Sequence, residues 1–283
     1  MSSIANAKKE ARHDIKMFKR YRNLLSELVA KNVKLKYRNS WLGIFWSFLE
    51  PLLNMIVLSV VFNGIFNRDN AEVICYPVYL FTGRMVFSFF RDSTKKAMMS
   101  FRANQSIIKK VYVPKYMYPV SGILSNFVTF SISLLCLACI MAFFKITGIS
   151  NGHAIDLTWK VLLFWIPILI CLILSIGVGL ILSIMQVYFR DIEYIFNVIM
   201  SLMFYTVPIL YSLKTITTEW MVVLIKLNPL YSIIELFRQC VLYGPNSILS
   251  WYMIAYSLAF SVLVLFIGML IFNWKSDDIV YHL

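Results

Sequence analysis

The sequence predicts an all-α integral membrane protein with six transmembrane helices. An interfacial helix precedes the spans, and two short outer re-entrant helices precede the last one. Of the 283 residues 60% are hydrophobic and 14% charged, against about 25% charged in a soluble domain. No Asp, Glu, Lys or Arg occurs in four windows, 116–144, 161–189, 194–213 and 239–274. About 20 apolar residues cross a bilayer, so each window can span it, and four such windows exclude an ordinary soluble core.

Arg84 makes the second of the six predicted spans the weakest. A central arginine costs about 2.5–3.5 kcal/mol on insertion scales. Arg84 could face protein or water beside Gly83, or the span could be shifted so that the side chain reaches the interface. Both explanations stay open. The spans cover about 46–66, 76–90, 117–144, 161–188, 194–213 and 251–273.

The distribution of basic residues orients the chain. Twenty of the 27 Lys and Arg residues fall on the side that carries both termini, and six on the other, which predicts cytoplasmic termini. The predicted division is a basic tail with an amphipathic interfacial helix (1–45), a membrane domain (46–274) and a cytoplasmic C-terminus (275–283). No short apolar segment with a cleavage site is visible in the tail, so we expect the first span to remain as an anchor.

A basic amphipathic helix is predicted over 18–37. Leu25 and Leu28 fall on its apolar side, whereas Lys31 and Lys34 fall on its polar side. Such helices lie in the membrane interface. The alternative is a helix packed on a soluble partner. The net charge of +13 then reflects topology, and we expect no nucleic-acid partner, because no basic cluster stands apart from a membrane boundary.

The largest internal cytoplasmic loop, residues 91–116, contains a predicted short helix. Asn104 or Ser106 could cap it, and Pro114 would end it. The loop could dock a soluble partner or be a solvated connector, and composition does not choose between these.

The outer loop 214–249 is apolar yet broken at Asn228-Pro229. Asn is a good N-cap and Pro suits the first helical position, so we predict two short helices. The second is too short to span the membrane, and Glu235 and Arg238 are placed to pair on one of its faces. An ordinary pair of outer-leaflet helices fits equally well.

The sequence lacks the motifs of catalysis and metal binding. It contains no GxxxxGK[ST], no HExxH and no GxSxG, and its three histidines and five cysteines have no metal-ligand spacing. We therefore expect no catalytic residues and no metal site. A membrane glycosyltransferase or acyltransferase would need a catalytic carboxylate or histidine at the membrane boundary, and Asp191 and Glu193 are a near-pair considered for that role.

Five stretches in register resemble the permease subunits of ABC type-2 exporters of bacterial polysaccharides. They are LKYRNSWLGIFWSFLEPLL (35–53), NQSIIKKVYVPKYMYPV (104–120), YFRDIEYI (188–195), TVPILYS (206–212) and LNPLYSIIELFRQCVLYG (227–244).

The resemblance implies an ATP-driven exporter that moves a polyprenyl-diphosphate-linked polysaccharide of the O-antigen, capsule or teichoic acid type across the bacterial inner membrane. It implies a homodimer working with two copies of a separate ATPase. That partner would bind ATP and Mg, and this chain no cofactor. An exporter of a drug or small lipid is the alternative within the family.

The resemblance also implies three groups of site residues. We expect the basic and aromatic residues before the first span to meet the lipid diphosphate, although they could equally set topology. A second group would couple to the ATPase, and a third would line the path or its outer gate. The groups are Lys34, Lys36, Arg38, Trp41 and Trp46; Asn104, Ile107, Ile108, Lys109 and Lys110; and Phe45, Tyr205, Tyr211, Tyr231, Glu235 and Arg238.

Overall fold

The computed structural model describes residues 21–38, 40–61, 76–110, 113–147, 159–213, 216–243, 249–276 and 279. Over these ranges the chain is helical and contains no strand, so the all-α prediction is confirmed. The α-helices are α1 (Arg22–Tyr37), α2 (Trp46–Ser59), α3 (Tyr76–Met98), α4 (Ser100–Ala103), α5 (Gln105–Ile108), α6 (Met117–Thr147), α7 (Trp165–Tyr188), α8 (Ile192–Thr206), α9 (Glu219–Lys226), α10 (Pro229–Val241) and α11 (Trp251–Lys275). Two 3₁₀ turns are Gly43–Phe45 and Trp159–Phe164.

Three helices are long and apolar enough to cross a bilayer by themselves. They cover Met117–Ile146, Lys160–Tyr188 and Trp251–Lys275. Helices α9 and α10 are long and apolar enough only when they are counted together as one span, and the chain bends by 82° between them. The count of six spans stays a prediction, since α2 and α8 are shorter apolar helices.

Helix α7 forms the centre of the bundle, where it packs against α3, α6 and α11. Helices α2 and α6 cover α3 from another side, while α8 packs mainly on α7. The α7–α11 contact depends on two glycines, because a Cβ at Gly268 would lie 2.6 Å from the carbonyl oxygen of Gly177. Small residues at such crossings let the two backbones approach closely.

The interfacial helix was predicted correctly as a helix. It begins at Arg22; residues 18–20 lie outside the described part. Leu25 and Leu28 are buried, and α1 packs on α6.

Helix α2 runs through Glu50 and Pro51 without a break. The chain turns instead around Gly43, whose φ of 53° is in the left-handed region that suits glycine. The Tyr37 hydroxyl hydrogen-bonds the Ser47 hydroxyl and joins α1 to α2.

Asn104 stands at the N-cap position of α5, as predicted, but its side chain makes no capping hydrogen bond. Its side-chain amide donates instead to the Ser100 carbonyl at 2.9 Å. The tertiary position of α1 decides this, because Lys31 Nζ donates to Asn104 Oδ1 at 3.1 Å. A sequence window of the loop alone contains no information on that contact.

The fifth predicted span, 194–213, is helical only as far as Thr206. Val207 is extended, with ψ of 131°, because a residue before proline is pushed out of the helical region. The residues after it are therefore irregular backbone whose polar groups need partners.

The two outer helices were predicted correctly. They meet at Asn228, whose side chain accepts from the Leu230 amide at 3.0 Å, and Pro229 takes the first helical position. Helix α10 has 13 residues and rises about 20 Å.

Candidate functional site

One face of α3 is polar although the helix lies among apolar spans. Between 78 and 95, the side chains of α3 that are not buried are all polar. A lipid-facing surface would be apolar, so this face is directed to water or protein. The residues are Arg84, Ser88, Arg91, Asp92 and Lys95, and we call them the polar stripe.

The polar stripe is the floor of a groove between α2 and α8. On one side it shares a cavity of about 130 Å³ with Glu50 and Asn54 of α2 and with polar residues of α6. On the other it faces Asn197, Ser201 and Tyr205 of α8. Both walls therefore present polar side chains to the same face of α3.

Side-chain contacts join the stripe to both walls. The Arg84 guanidinium donates to Asn54 Oδ1 at 3.3 Å. Lys95 Nζ lies 3.4 Å from Asn197 Oδ1 and 4.0 Å from a Glu193 carboxylate oxygen. The near-pair Asp191 and Glu193 thus contributes a salt bridge to the groove wall through Glu193.

Basic residues gather at the end of the groove nearest α1. Lys36 lines the same cavity as the stripe, and Lys96 Nζ lies 3.5 Å from Ser125 Oγ. Lys96 follows the apolar part of α3, and burial lowers the pKa of its amine to about 8, with the Lys36 charge acting in the same direction. Lys36 and Lys96 therefore bring two basic groups together at this end of the groove.

The structure places the five residues predicted to meet lipid diphosphate on the surface of this region. Lys36 and Arg38 share a shallow depression beside the groove, and Lys34 is exposed on α1. Trp41 is 99% exposed and Trp46 42%. Of the five, Lys36 reaches the groove; their binding role stays a prediction.

The predicted coupling residues divide into two groups. Asn104 is buried and bonded to α1, whereas Lys109 and Lys110 are exposed. Ile107 and Ile108 are half-buried against the apolar cluster that includes Leu28 and Phe101 of neighbouring helices. Of the five predicted coupling residues, the lysine pair is therefore the most accessible.

At the opposite end, Arg238 of α10 is fully buried. Its guanidinium donates to the carbonyl oxygens of Pro208 at 2.9 Å, Tyr79 at 3.2 Å and Ile209 at 3.4 Å. It also lies 3.5 Å above the Tyr79 ring. The predicted Glu235 pair is present, with 3.8 Å between Nη1 and Oε2.

The hydroxyl groups of Tyr79 and Tyr76 complete this cluster, which we call the Arg238 clamp. Tyr79 donates its hydroxyl to the Tyr211 carbonyl at 2.9 Å, and Tyr76 donates to the Leu210 carbonyl at the same distance. Irregular backbone at membrane depth is tolerated only where its polar groups find protein partners. The clamp supplies those partners to the segment after α8.

The other predicted path residues lie at different depths. Tyr205 is 68% exposed and lines the groove, while Phe45 is exposed and stacks on Phe48 with centroids 5.9 Å apart. The Tyr211 hydroxyl donates to carbonyls at the end of α8. Tyr231 is buried. That these residues line a path stays a prediction.

Sequence reasoning missed both the groove and the clamp. The stripe was visible as polar residues at positions 84, 88, 91, 92 and 95, which repeat at helical spacing. The clamp had no such signal, since its members come from distant parts of the chain.

The chain is similar to known proteins over most of its length. Residues 23–242 match the ABC-2 type transporter family. The chain is 29% identical over 253 residues to the O-antigen export system permease protein RfbA of Klebsiella pneumoniae, covering 89% of this chain and 91% of that one. The RfbA protein of Myxococcus xanthus is 29% identical over 77% of this chain and 80% of its own. The polysialic acid transport protein KpsM of Escherichia coli is 23% identical, over 88% and 92%.

The apolar helices and the polar groove among them define a multi-pass membrane protein with an interior suited to polar cargo. The region that matches the family covers most of the chain, so this protein belongs to the ABC-2 type transporter family. The resemblance drawn from the five sequence stretches is thereby confirmed, and the chain is a multi-pass inner-membrane protein.

Proposed function

We propose that this chain is the membrane permease subunit of an ATP-driven exporter of lipid-linked polysaccharide. The cargo would be a polyprenyl-diphosphate-linked glycan that crosses the inner membrane from the cytoplasm. The names of the relatives support a polysaccharide cargo. The observation that carries the proposal is the polar stripe along α3, because sugar hydroxyls and phosphates need polar partners inside the bilayer.

The groove supports a homodimeric assembly. Helix α8 packs mainly on α7 and leaves a row of its apolar side chains exposed, including Ile195, Val198 and Leu202. A second copy of the chain would close the groove through an isologous contact. Two half-grooves together would be wide enough for a glycan chain.

Two copies of a cytoplasmic ATPase would supply the energy and bind ATP and Mg, while this chain binds no cofactor. Both termini would lie in the cytoplasm. Lys109 and Lys110 would contact the ATPase, with Ile107 and Ile108 holding the loop against the bundle. The Lys31–Asn104 hydrogen bond would transmit the movement of the loop to α1.

The residues before the first span would receive the lipid diphosphate. Lys34, Lys36 and Arg38 would attract it electrostatically, and arginine can bind phosphate through two parallel hydrogen bonds. Trp41 and Trp46 would hold this segment at the headgroups. Lys36 would then pass the head group to the groove.

Aromatic residues would guide the sugar rings towards the outside. Phe45, Tyr205 and Tyr211 would contact the polymer through their exposed surfaces. Tyr231, Glu235 and Arg238 would instead hold the outer segment in position, since two of the three are buried.

The proposal is tested by charge reversal in cells that carry the partner ATPase. We expect Lys36→Glu with Arg38→Glu to lower surface polysaccharide at least tenfold and to leave polymer in the cytoplasm, because the diphosphate is then repelled. Immunolabelling of intact and opened cells measures both pools. Lys226→Glu is the control, because it reverses one charge in the same way at an exposed position predicted to lie on the outer side. Cells with this variant should export polysaccharide normally.

Unchanged export by the Lys36/Arg38 variant would contradict the role of this region in receiving the lipid. Normal export in cells that lack the partner ATPase would contradict the proposed function itself.

A further inference from the structure

Arg84 is a cation within α3, the helix that contains the second predicted span. It lies eight residues after Tyr76, the start of α3, and therefore about 12 Å along the helix axis. Its side chain is half-buried in the groove and lines both the α2 cavity and the α8 cavity. An ionised residue at such a position is a functional candidate by default, since the membrane interior disfavours it.

The other charges of the polar stripe have partners of opposite sign. Arg91 Nε lies 2.9 Å from Asp92 Oδ1, and Lys95 lies 4.0 Å from Glu193. Among the described residues no carboxylate comes within 4.0 Å of Arg84. Its hydrogen bond there goes to the neutral amide of Asn54.

The guanidinium therefore has unused binding capacity. Arginine carries five N–H donors in a planar fork, and Asn54 uses one of them in the described part of the chain. The fork matches phosphate and carboxylate oxygens in bidentate geometry. The cavity on the α2 side of Arg84 adds hydroxyl and amide groups and two carboxylates, Glu50 and Asp92, of which Asp92 is paired with Arg91.

We infer that Arg84 is an anion-binding residue within the transport path, and that it receives an oxyanion of the cargo as the cargo passes. The inference rests on the proposed function and extends it to a step inside the membrane. Lys36, Lys95 and Arg91 lead from the α1 end towards Arg84. Lys95 is eleven residues from Arg84, or about 17 Å along α3, so an anion would move over a series of cations.

Two parts of such a cargo carry this chemistry: the diphosphate of the lipid and acidic sugars of the polymer. The assay uses the full chain with its partner ATPase in lipid nanodiscs, with wild type, Arg84→Gln and Arg84→Lys. The probes are farnesyl diphosphate against farnesol, and oligogalacturonate against a maltooligosaccharide of equal length. Binding is measured by quenching of intrinsic tryptophan fluorescence.

We expect the wild type to bind at least one anionic probe ten or more times more tightly than its neutral counterpart. Arg84→Gln should remove about tenfold of that affinity, Arg84→Lys should keep most of it, and Lys226→Gln should change nothing. Loss with farnesyl diphosphate alone assigns the lipid head group as the ligand, and loss with oligogalacturonate alone assigns the sugar chain.

Equal anion affinity in wild type and Arg84→Gln would overturn the inference. So would a complex that dissociates in Arg84→Gln on size-exclusion chromatography, because the residue would then be structural. Polysaccharide export by the wild type is measured separately in cells, so that failure of the proposed function is distinguishable from failure of this inference.

Discussion

Arg238 and Gly83 form a pair whose coupling can be measured. The two shortest hydrogen bonds of Arg238, at 2.9 and 3.2 Å, contribute about 0.6–1.7 kcal/mol each if they resemble interhelical bonds in other membrane proteins. The stacking on Tyr79 contributes about 1–2 kcal/mol in a desolvated site. Arg238→Ala should therefore lower the free energy of unfolding by about 3 kcal/mol.

Gly83→Ala disrupts the contact between Gly83 and Arg238 by steric overlap. A Cβ at Gly83 would lie 2.4 Å from Arg238 Nη2, so the guanidinium must leave its position. Such overpacking costs about 1–3 kcal/mol. In the Arg238→Ala background there is no guanidinium to displace, and Gly83→Ala should then cost close to nothing.

Equilibrium unfolding in mixed micelles, followed by tryptophan fluorescence, gives the four free energies of this double-mutant cycle. Neighbouring residues that share a contact show coupling energies of about 0.5–3 kcal/mol. We expect a coupling of at least 1 kcal/mol. If the two costs simply add, Arg238 does not occupy the space above Gly83 and the clamp described here is wrong.

Three further changes test separate contacts. Gly268→Leu should prevent the close α7–α11 crossing at Gly177 and abolish the folded protein, which detergent-stable yield after solubilisation measures. Lys31→Met should remove the hydrogen bond to Asn104 and raise the ATP hydrolysed per polymer exported severalfold, while the partner ATPase still binds. Tyr79→Phe removes a hydroxyl that donates to a carbonyl after α8 and should cost about 1 kcal/mol of unfolding free energy.

Each of these changes has a contradicting outcome. A normal yield of Gly268→Leu would mean that α7 and α11 are farther apart than described. If the ratio of ATP hydrolysed to polymer exported is unchanged in Lys31→Met, the Lys31–Asn104 contact between α1 and the loop does not contribute to coupling. If Tyr79→Phe is as stable as the wild type, the hydrogen bond of the Tyr79 hydroxyl in the folded protein is no stronger than its hydrogen bonds to water in the unfolded chain.

Hydropathy and local capping made much of the fold predictable. The long charge-free windows became α6, α7 and α11, because each helix satisfies its own backbone hydrogen bonds and so can form from local sequence. The break at Asn228-Pro229 was equally visible, since its cap bonds an amide two residues away.

The features that sequence reasoning missed depend on contacts between distant residues. Asn104 could have capped a helix locally, but Lys31, 73 positions earlier, takes its side-chain oxygen. Arg238 was paired correctly with its neighbour Glu235, whereas its principal partners are carbonyl oxygens of Pro208 and Tyr79. Helical spacing along one segment cannot report such partners.

The central claim is that this chain is a permease whose transport is driven by a separate ATPase. Its most direct test is a reconstitution in liposomes with lipid-linked polysaccharide on one side, with and without the partner subunit and ATP. We predict translocation only when the partner and hydrolysable ATP are both present. Translocation by the chain alone, without nucleotide, would contradict the account.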